Sequence, residues 1–263
     1  LSNNKTAVSS KLVKTRVVLR DRKLSKHVPK TYRLTRSRLL SMLNRYGMVY
    51  VKPDTGSLGV GVMRVEKRGK SYRYHSGLNK HTFSAFRGMY ASLQQHTGKR
   101  LYLVQKGIHV LRYKGRPVDF RVMIQKSPSR CWEPTGTVAR VAHPRKAVTN
   151  GSQGGTIYPA ADMIRPVGGS AQSRRILKHM DRLAVRTAAQ FGRAYPAMNE
   201  LGLDIALDRK LTPWILEVNT RPDPCPFTKL TNKRSITKIV AYGKAYGRRY
   251  CLNCSKAKRA PKA

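Results

Sequence analysis

An α+β fold is predicted by three observations: strand-type and helix-type runs alternate along the chain, glycine or proline punctuates them, and the most informative segments pair off as hairpins. Residues 1–30 are basic, with a β-like stretch at Thr15–Leu19 and a turn signal at Pro29. Thr35 caps a helix carrying Leu39, Leu40 and Leu43 that stops at Gly47. Met48–Lys52 and Val60–Glu66 are strands joined by a glycine-rich turn. Ser84 caps a helix that runs to Thr97 and ends at Gly98. Leu101–Gln105, Val118–Gln125 and Thr137–Ala142 are strands, and Thr149–Thr156 is a polar, glycine-rich loop. The longest helix runs from near Ala171 to Tyr195, with Ile176, Met180, Leu183, Thr187 and Phe191 at helical spacing. A hairpin (Leu203–Leu207, Pro213–Asn219), a proline-rich loop and a helix from about Ser235 complete the order.

The chain has 263 residues, enough for one sizeable domain or two closely packed subdomains. No apolar run approaches the roughly 20 residues of a membrane span, and no signal-peptide pattern opens the chain. Four Cys do not make a disulfide scaffold at this length, so a reducing, cytoplasmic location is expected, with Cys131 and Cys225 as isolated thiols. Lys plus Arg number 54 against 12 Asp plus Glu, a net charge of +42 that calls for polyanions to screen it. Each acid in such a chain is either a counter-ion or a chemical group.

Within GLDIALDRKLTPWILEVNT, Leu203, Ile205 and Leu207 alternate with Asp204, Ala206 and Asp208. Trp214, Leu216 and Val218 alternate with Ile215, Glu217 and Asn219. A loop at Arg209–Thr212 pairs Asp208 with Pro213, Ala206 with Ile215 and Asp204 with Glu217, placing Trp214 on the buried face. The other face gathers Asp204, Glu217 and Asn219. Like charges directly opposed repel, so a cation belongs there. That cation is either a divalent ion such as Mg²⁺, for which this is a suitable oxygen set, or neighbouring Lys and Arg side chains.

The stretch VYVKPDTGSLGVGVMRVE places Lys52 before Gly56, Ser57, Gly59 and Gly61. Backbone N–H groups in such a turn approach an anion closely. No helix opens there, so it is neither a Walker A loop nor a dinucleotide-binding turn. It is either a phosphate cradle or a plain hairpin turn.

In order and spacing, HVPKT, YGMVYVKPDTGSLGVGVMRV, LVQKGI, PVDFRVMIQ, RVAHPRKAVTN with its following GG, and GLDIALDRKLTPWILEVNTRPDP resemble the ATP-grasp superfamily, in particular the YheC/YheD family of spore-forming bacteria. The resemblance implies an ATP-grasp fold of two α+β subdomains clasping ATP. These are 31–108 with the flap and 109–247 with the metal site, flanked by a basic extension (1–30) and a disordered basic tail (248–263). It implies ATP and Mg²⁺ (or Mn²⁺) as cofactors, with Asp204, Glu217 and Asn219 as metal ligands. Lys11 and Lys52 bind phosphate under a flap that includes Gly56, Ser57, Gly59 and Gly61, and Gln105, Lys106 and Ile108 edge the adenine. Arg121 and Lys52 stabilise the transferred phosphoryl group; Arg140, Asn150, Gly154, Gly155 and Arg221 line the acceptor side.

The implied reaction is carboxylate–amine ligation through an acyl-phosphate, linked to spore formation in the mother cell or coat. Only about 30 residues precede the helix at Thr35, so the family's N-terminal pre-ATP-grasp domain is expected to be missing, its surface supplied by a protein partner or self-association. No acid for the ribose lies between Gln105 and Asp119. The basic charge points to an acidic peptide or polymer as substrate. Two alternatives stand beside this reading. One is a catalytically silent, ATP-binding spore-coat protein. The other is a nucleic-acid-binding protein stacking bases on Tyr242, Tyr246 and Tyr250; nonspecific nucleic-acid binding in vitro is expected on charge alone.

Overall fold

The computed structural model describes residues 6–57, 59–143, 155–254 and 257–260. In chain order its elements are α1 (Lys11–Leu19), α2 (Arg22–Ser25), β1 (Thr31–Arg33), α3 (Arg36–Tyr46), β2 (Met48–Pro53), β3 (Met63–Arg68), β4 (Ser71–Ser76), β5 (Asn79–Phe83), α4 (Phe86–Thr97) and β6 (Tyr102–Lys106). There follow β7 (Arg112–Tyr113), β8 (Arg116–Lys126), β9 (Trp132–Val141), β10 (Thr156–Pro159), α5 (Ala160–Ala194), β11 (Glu200–Leu207), β12 (Pro213–Asn219), α6 (Cys225–Thr228), α7 (Arg234–Ala245) and β13 (Lys258–Arg259). The strands make two sheets, β1-β6-β2-β3-β4-β5 and β12-β11-β8-β9-β10-β13, with β7 hydrogen-bonded to β8.

The smaller sheet buries Val49, Val51, Val65 and Tyr74 against Leu39 and Leu43 of α3 and Met89 and Leu93 of α4. Helix α3 begins as expected, with Thr35 Oγ1 accepting the Arg38 N–H at 3.2 Å, and it ends at a left-handed Gly47 (φ 69°). Helix α4 departs from expectation: Ala85, not Ser84, occupies the cap and supplies no side-chain bond. The β4–β5 hairpin is absent from the sequence reading, because its Tyr, His and Lys residues show no clean apolar alternation.

The larger sheet is covered on both faces. On β8, Phe120 and Val122 face the core that contains Ile176, Met180 and Phe191 of α5, whereas Met123 faces Phe227, Ile236 and Ile239 of α6 and α7. Strands clad on both sides read as continuous apolar runs, as β8 does. Helix α5 starts earlier than expected, at Ala160, and is broken at Gly169 (φ 70°, ψ 175°); the regular apolar spacing lies beyond that break.

The chain's ends correct the sequence reading. Thr15–Leu19 is helical, and Val17, Val18 and Leu24 join the larger sheet's core although β-branching suggested a strand. The described residues after α7, expected to be disordered, are tied down. Cys225 and Cys254 form a disulfide, so Cys225 is not an isolated thiol, and β13 pairs in parallel with β10. Tyr246 and Tyr250 turn their hydroxyls onto buried Glu200, and Tyr242 bonds Glu133 at 2.6 Å, so these rings are not presented as an open stacking row. Among the described residues no helix is long and apolar enough to cross a membrane.

Gly136 on β9 lies close under α6 and α7, since an added Cβ would lie 2.8 Å from both Phe227 and Ser235. Gly136→Ala is expected to lower stability by about 1–3 kcal/mol through overpacking, read as a lower urea midpoint with an unchanged slope.

Candidate active site

The β11–β12 hairpin sets opposite Asp204 and Glu217 and opposite Gly202 and Asn219, as expected at that end. Beyond Asp204 the register shifts: Ile205 faces Ile215, Ala206 faces Trp214 and Leu207 faces Pro213, leaving Leu216 as the extra residue of a β-bulge. The expected pairings of Ala206 with Ile215 and Asp208 with Pro213 are therefore displaced by one. Trp214 leaves the core face, and its indole N–H donates to Asp208 at 3.0 Å. Leu216 turns with Glu217 toward the space between the sheets, while Ile215 and Val218 enter the core. The bulge lets two apolar residues switch faces while Glu217 keeps its place opposite Asp204.

Cations surround both acids. Arg121 Nε donates to Asp204 Oδ1 at 2.6 Å, and Arg140 lies 3.1 Å from the same oxygen. Burial alone would raise the Asp204 carboxyl, but these two guanidinium groups hold it down at about 2, so it is ionised at neutral pH. Arg140 is also gripped by both oxygens of Asp119, at 2.8 and 2.6 Å. Around Glu217 stand Lys14 Nζ at 3.3 Å and Lys11 Nζ at 3.9 Å. Lys52 Nζ donates to Gln105 Oε1 at 2.9 Å and to the Leu216 carbonyl at 3.2 Å. Burial pushes the Lys52 ammonium down to about 8, against the opposing pull of Glu217. Burial likewise lowers Lys11.

Local structure explains this convergence. Ser10 caps α1, and α1 is pinned to the end of β2 by Lys11 N–H to the Asp54 carbonyl (2.8 Å) and Leu12 N–H to Asp54 Oδ1 (2.8 Å). The Lys11 ammonium then reaches the Gly56 carbonyl at 2.8 Å, holding the glycine turn. That turn needs its glycines: Gly56 has φ 101°, and at Gly61 (φ 73°) a Cβ would come within 2.9 Å of the Tyr102 hydroxyl. Ser57 is exposed at its tip.

Between the sheets lies a cleft of about 150 Å³, open to solvent. Lys52, Gly59, Gln105 and Ile108 line it with Tyr50, Val62 and Leu216; Asp119, Arg140, Asp204 and Glu217 form its polar end. Lys106 lies at its edge, with its ammonium 5.2 Å from the Tyr46 ring and 5.1 Å from the Trp214 ring. Asn219 Nδ2 bonds the Gly202 carbonyl at 3.2 Å and Asp204 Oδ2 at 3.4 Å. Two carboxylates and an amide oxygen on adjacent strands fit a hard divalent cation such as Mg²⁺. Among the described residues no group of three or more His, Cys, Asp or Glu is placed to hold a metal, so the oxygen set here is two carboxylates and an amide.

Three of the acceptor-side residues are described. Arg140 is on the cleft floor, Arg221 is exposed beyond β12, and Gly155 is buried at the start of β10. Asn150 and Gly154 lie outside the described residues. Sequence reasoning missed Lys14 and Asp119. Lys14 follows Lys11 by one helical turn, a signal lost once Thr15–Leu19 was read as β-like.

The Lys52 shift has a stability consequence. Below pH 8 the folded protein bears the cost of a buried ammonium; between 8 and 10.5 it releases the proton that the unfolded chain retains, so stability rises with pH. Wild type is expected to gain on Lys52→Met across that window by on the order of 3 kcal/mol, measured as the difference of urea unfolding free energies.

Comparison with known proteins bears on the family and the fold. The YheC/D-like ATP-grasp family model matches residues 2–248. Over 201 residues the chain is 25% identical to endospore coat-associated protein YheD of Bacillus subtilis (strain 168), covering 73% of this chain and 44% of that protein. Over 207 residues it is 24% identical to endospore coat-associated protein YheC of the same strain, covering 76% and 56%. The chain thus spans about half the length of the curated relatives it matches. N5-carboxyaminoimidazole synthase from Aspergillus clavatus, solved in complex with ADP and 5-aminoimidazole ribonucleotide, superposes with a TM-score of 0.53 at 12% identity, over 94% of this chain and 54% of that one. That likeness shows the ATP-grasp fold. With the family model spanning nearly its whole length, the chain belongs to the YheC/D-like ATP-grasp family.

Proposed function

We propose that this protein is an ATP-dependent carboxylate–amine ligase that works through an acyl-phosphate. The observation that carries the reading is the meeting of Lys52 with the Asp204–Glu217 pair at the polar end of an otherwise apolar cleft, with Lys11 and Lys14 against Glu217 beside it. A nucleotide's base fits the apolar part, edged by Gln105, Lys106 and Ile108, and its phosphates fit the lysines under the glycine turn. A divalent ion on Asp204, Glu217 and Asn219 supplies charge neutralisation at phosphate oxygens.

A carboxylate oxygen of the donor attacks the γ-phosphorus, and the bond to the β-phosphate oxygen breaks, leaving ADP and an acyl-phosphate. An amine then attacks the acyl carbon, expelling phosphate and losing a proton. Lys52 and Arg121 hold fixed positive charge beside the transferring group, so that little reorganisation is needed as charge shifts. No side chain needs to act as a covalent nucleophile.

The acceptor we assign is an acidic peptide or polymer, drawn by the +42 charge. A second reading, nucleotide binding without turnover in a coat component, is favoured by the names of the curated relatives. ADP release with oligoglutamate against neutral peptides separates the two: ligation requires turnover that depends on an acidic acceptor and falls with salt, whereas the second reading gives none.

Glu217→Gln preserves shape and removes one charge; it is expected to weaken Mg²⁺-dependent nucleotide binding by at least about tenfold in calorimetry, roughly 1.4 kcal/mol. Arg121→Ala is expected to lower turnover by about two orders of magnitude, as for loss of one preorganised donor, while nucleotide affinity changes less; equal losses in both would remove its role in phosphoryl transfer.

A further inference from the structure

The acids assigned to the metal already have counter-ions. Asp204 bears Arg121 and Arg140, and Glu217 bears Lys14 with Lys11 behind it. Lys14 is buried and holds Glu217 Oε1 at 3.3 Å from one turn into α1, a helix whose start is fastened to the end of β2 through Asp54. Its ammonium is thereby held against Glu217 from a fixed helix. Asp54, Asp119, Asp204 and Glu217 lie among Arg121, Arg140, Lys11, Lys14 and Lys52, so cations outnumber acids by one.

A cluster of that sign repels a free divalent ion and attracts an anionic chelate of it. From this, and resting on the metal-site reading above, we infer that Lys14 is a positioning residue which occupies Glu217 as an internal counter-ion and makes metal binding conditional on nucleotide. A polyphosphate gives the Lys14 ammonium an alternative anion within reach of its pivot on α1. Glu217 is then released to the metal that arrives with those phosphates. Lys11 cannot substitute fully, being 3.9 Å from Glu217 and already committed to the Gly56 carbonyl at 2.8 Å. Lys52 is committed to Gln105 and the Leu216 carbonyl.

Free Mn²⁺, counted by its aqueous EPR signal during titration of the intact protein, tests this without reference to activity. Wild type is expected to take up no Mn²⁺ alone at concentrations where, with ADP present, it removes Mn²⁺ beyond the amount ADP removes by itself. Lys14→Met, which keeps length and packing, is expected to bind Mn²⁺ without nucleotide at least about tenfold more tightly than wild type, the effect of removing one close buried cation. Lys14→Arg is expected to restore the dependence on nucleotide. Wild type that binds Mn²⁺ equally well with and without ADP overturns the inference and leaves the metal site standing, as does a Lys14→Met protein indistinguishable from wild type. Absence of protein-bound Mn²⁺ even with ADP removes the metal site itself, and this inference with it.

Discussion

Two carboxylates facing each other across a strand pair are an unfavourable arrangement, and the architecture of the cleft is organised around relieving it. Asp204 and Glu217 are opposed on β11 and β12. Asp204 draws its relief from β8 and β9 through Arg121 and Arg140; Glu217 draws it from α1 through Lys14 and Lys11. The interaction therefore ties together the larger sheet and the N-terminal helix, and through Asp54 and the Gly56 carbonyl it extends to the smaller sheet and its glycine turn. Removing any one cation would leave a carboxylate less compensated in a poorly solvated place, where an unpaired charge costs most.

The same accounting applies elsewhere in this very basic chain. Glu66 collects Arg64, Arg73 and Arg68, and buried Glu200 collects Tyr246, Tyr250 and Arg248. Those acids are structural, since their partners fasten a hairpin or dock the C-terminal segment. What distinguishes Asp204 and Glu217 is position: they face a cleft, next to each other and to an amide, instead of an interior seam.

Much of this was legible in the sequence where a residue's role is local. Thr35 and Gly47 bound α3, alternation marked β11 and β12, and Asp204 was placed opposite Glu217. The family resemblance stands, since the family model spans nearly the whole chain. What failed depended on tertiary context. Val17 and Val18 favour strands locally but are helical because they pack on α5 and the sheet. The seating of Tyr246 and Tyr250 on Glu200 and the Cys225–Cys254 bridge join residues distant in sequence, which periodicity cannot reveal. Trp214 was misplaced because strict alternation has no means of announcing an extra residue.

That extra residue, Leu216, constrains how this protein can vary in length. Its carbonyl, outside the ladder, is the one that holds Lys52, and the bulge it makes changes the faces of Trp214 and Ile215 while Glu217 stays opposite Asp204. The turn at Arg209–Thr212 lies before the bulge and can lengthen or shorten with little effect on the acids. Between Ile215 and Asn219 the constraint is tighter: removing Leu216 would close the bulge with Glu217 still opposite Asp204 but would take away the carbonyl that holds Lys52, and an added residue between Glu217 and Asn219 would break the pairing of both with β11. Across descendants of this chain, insertions should therefore accumulate at the hairpin tip and be purged from its base.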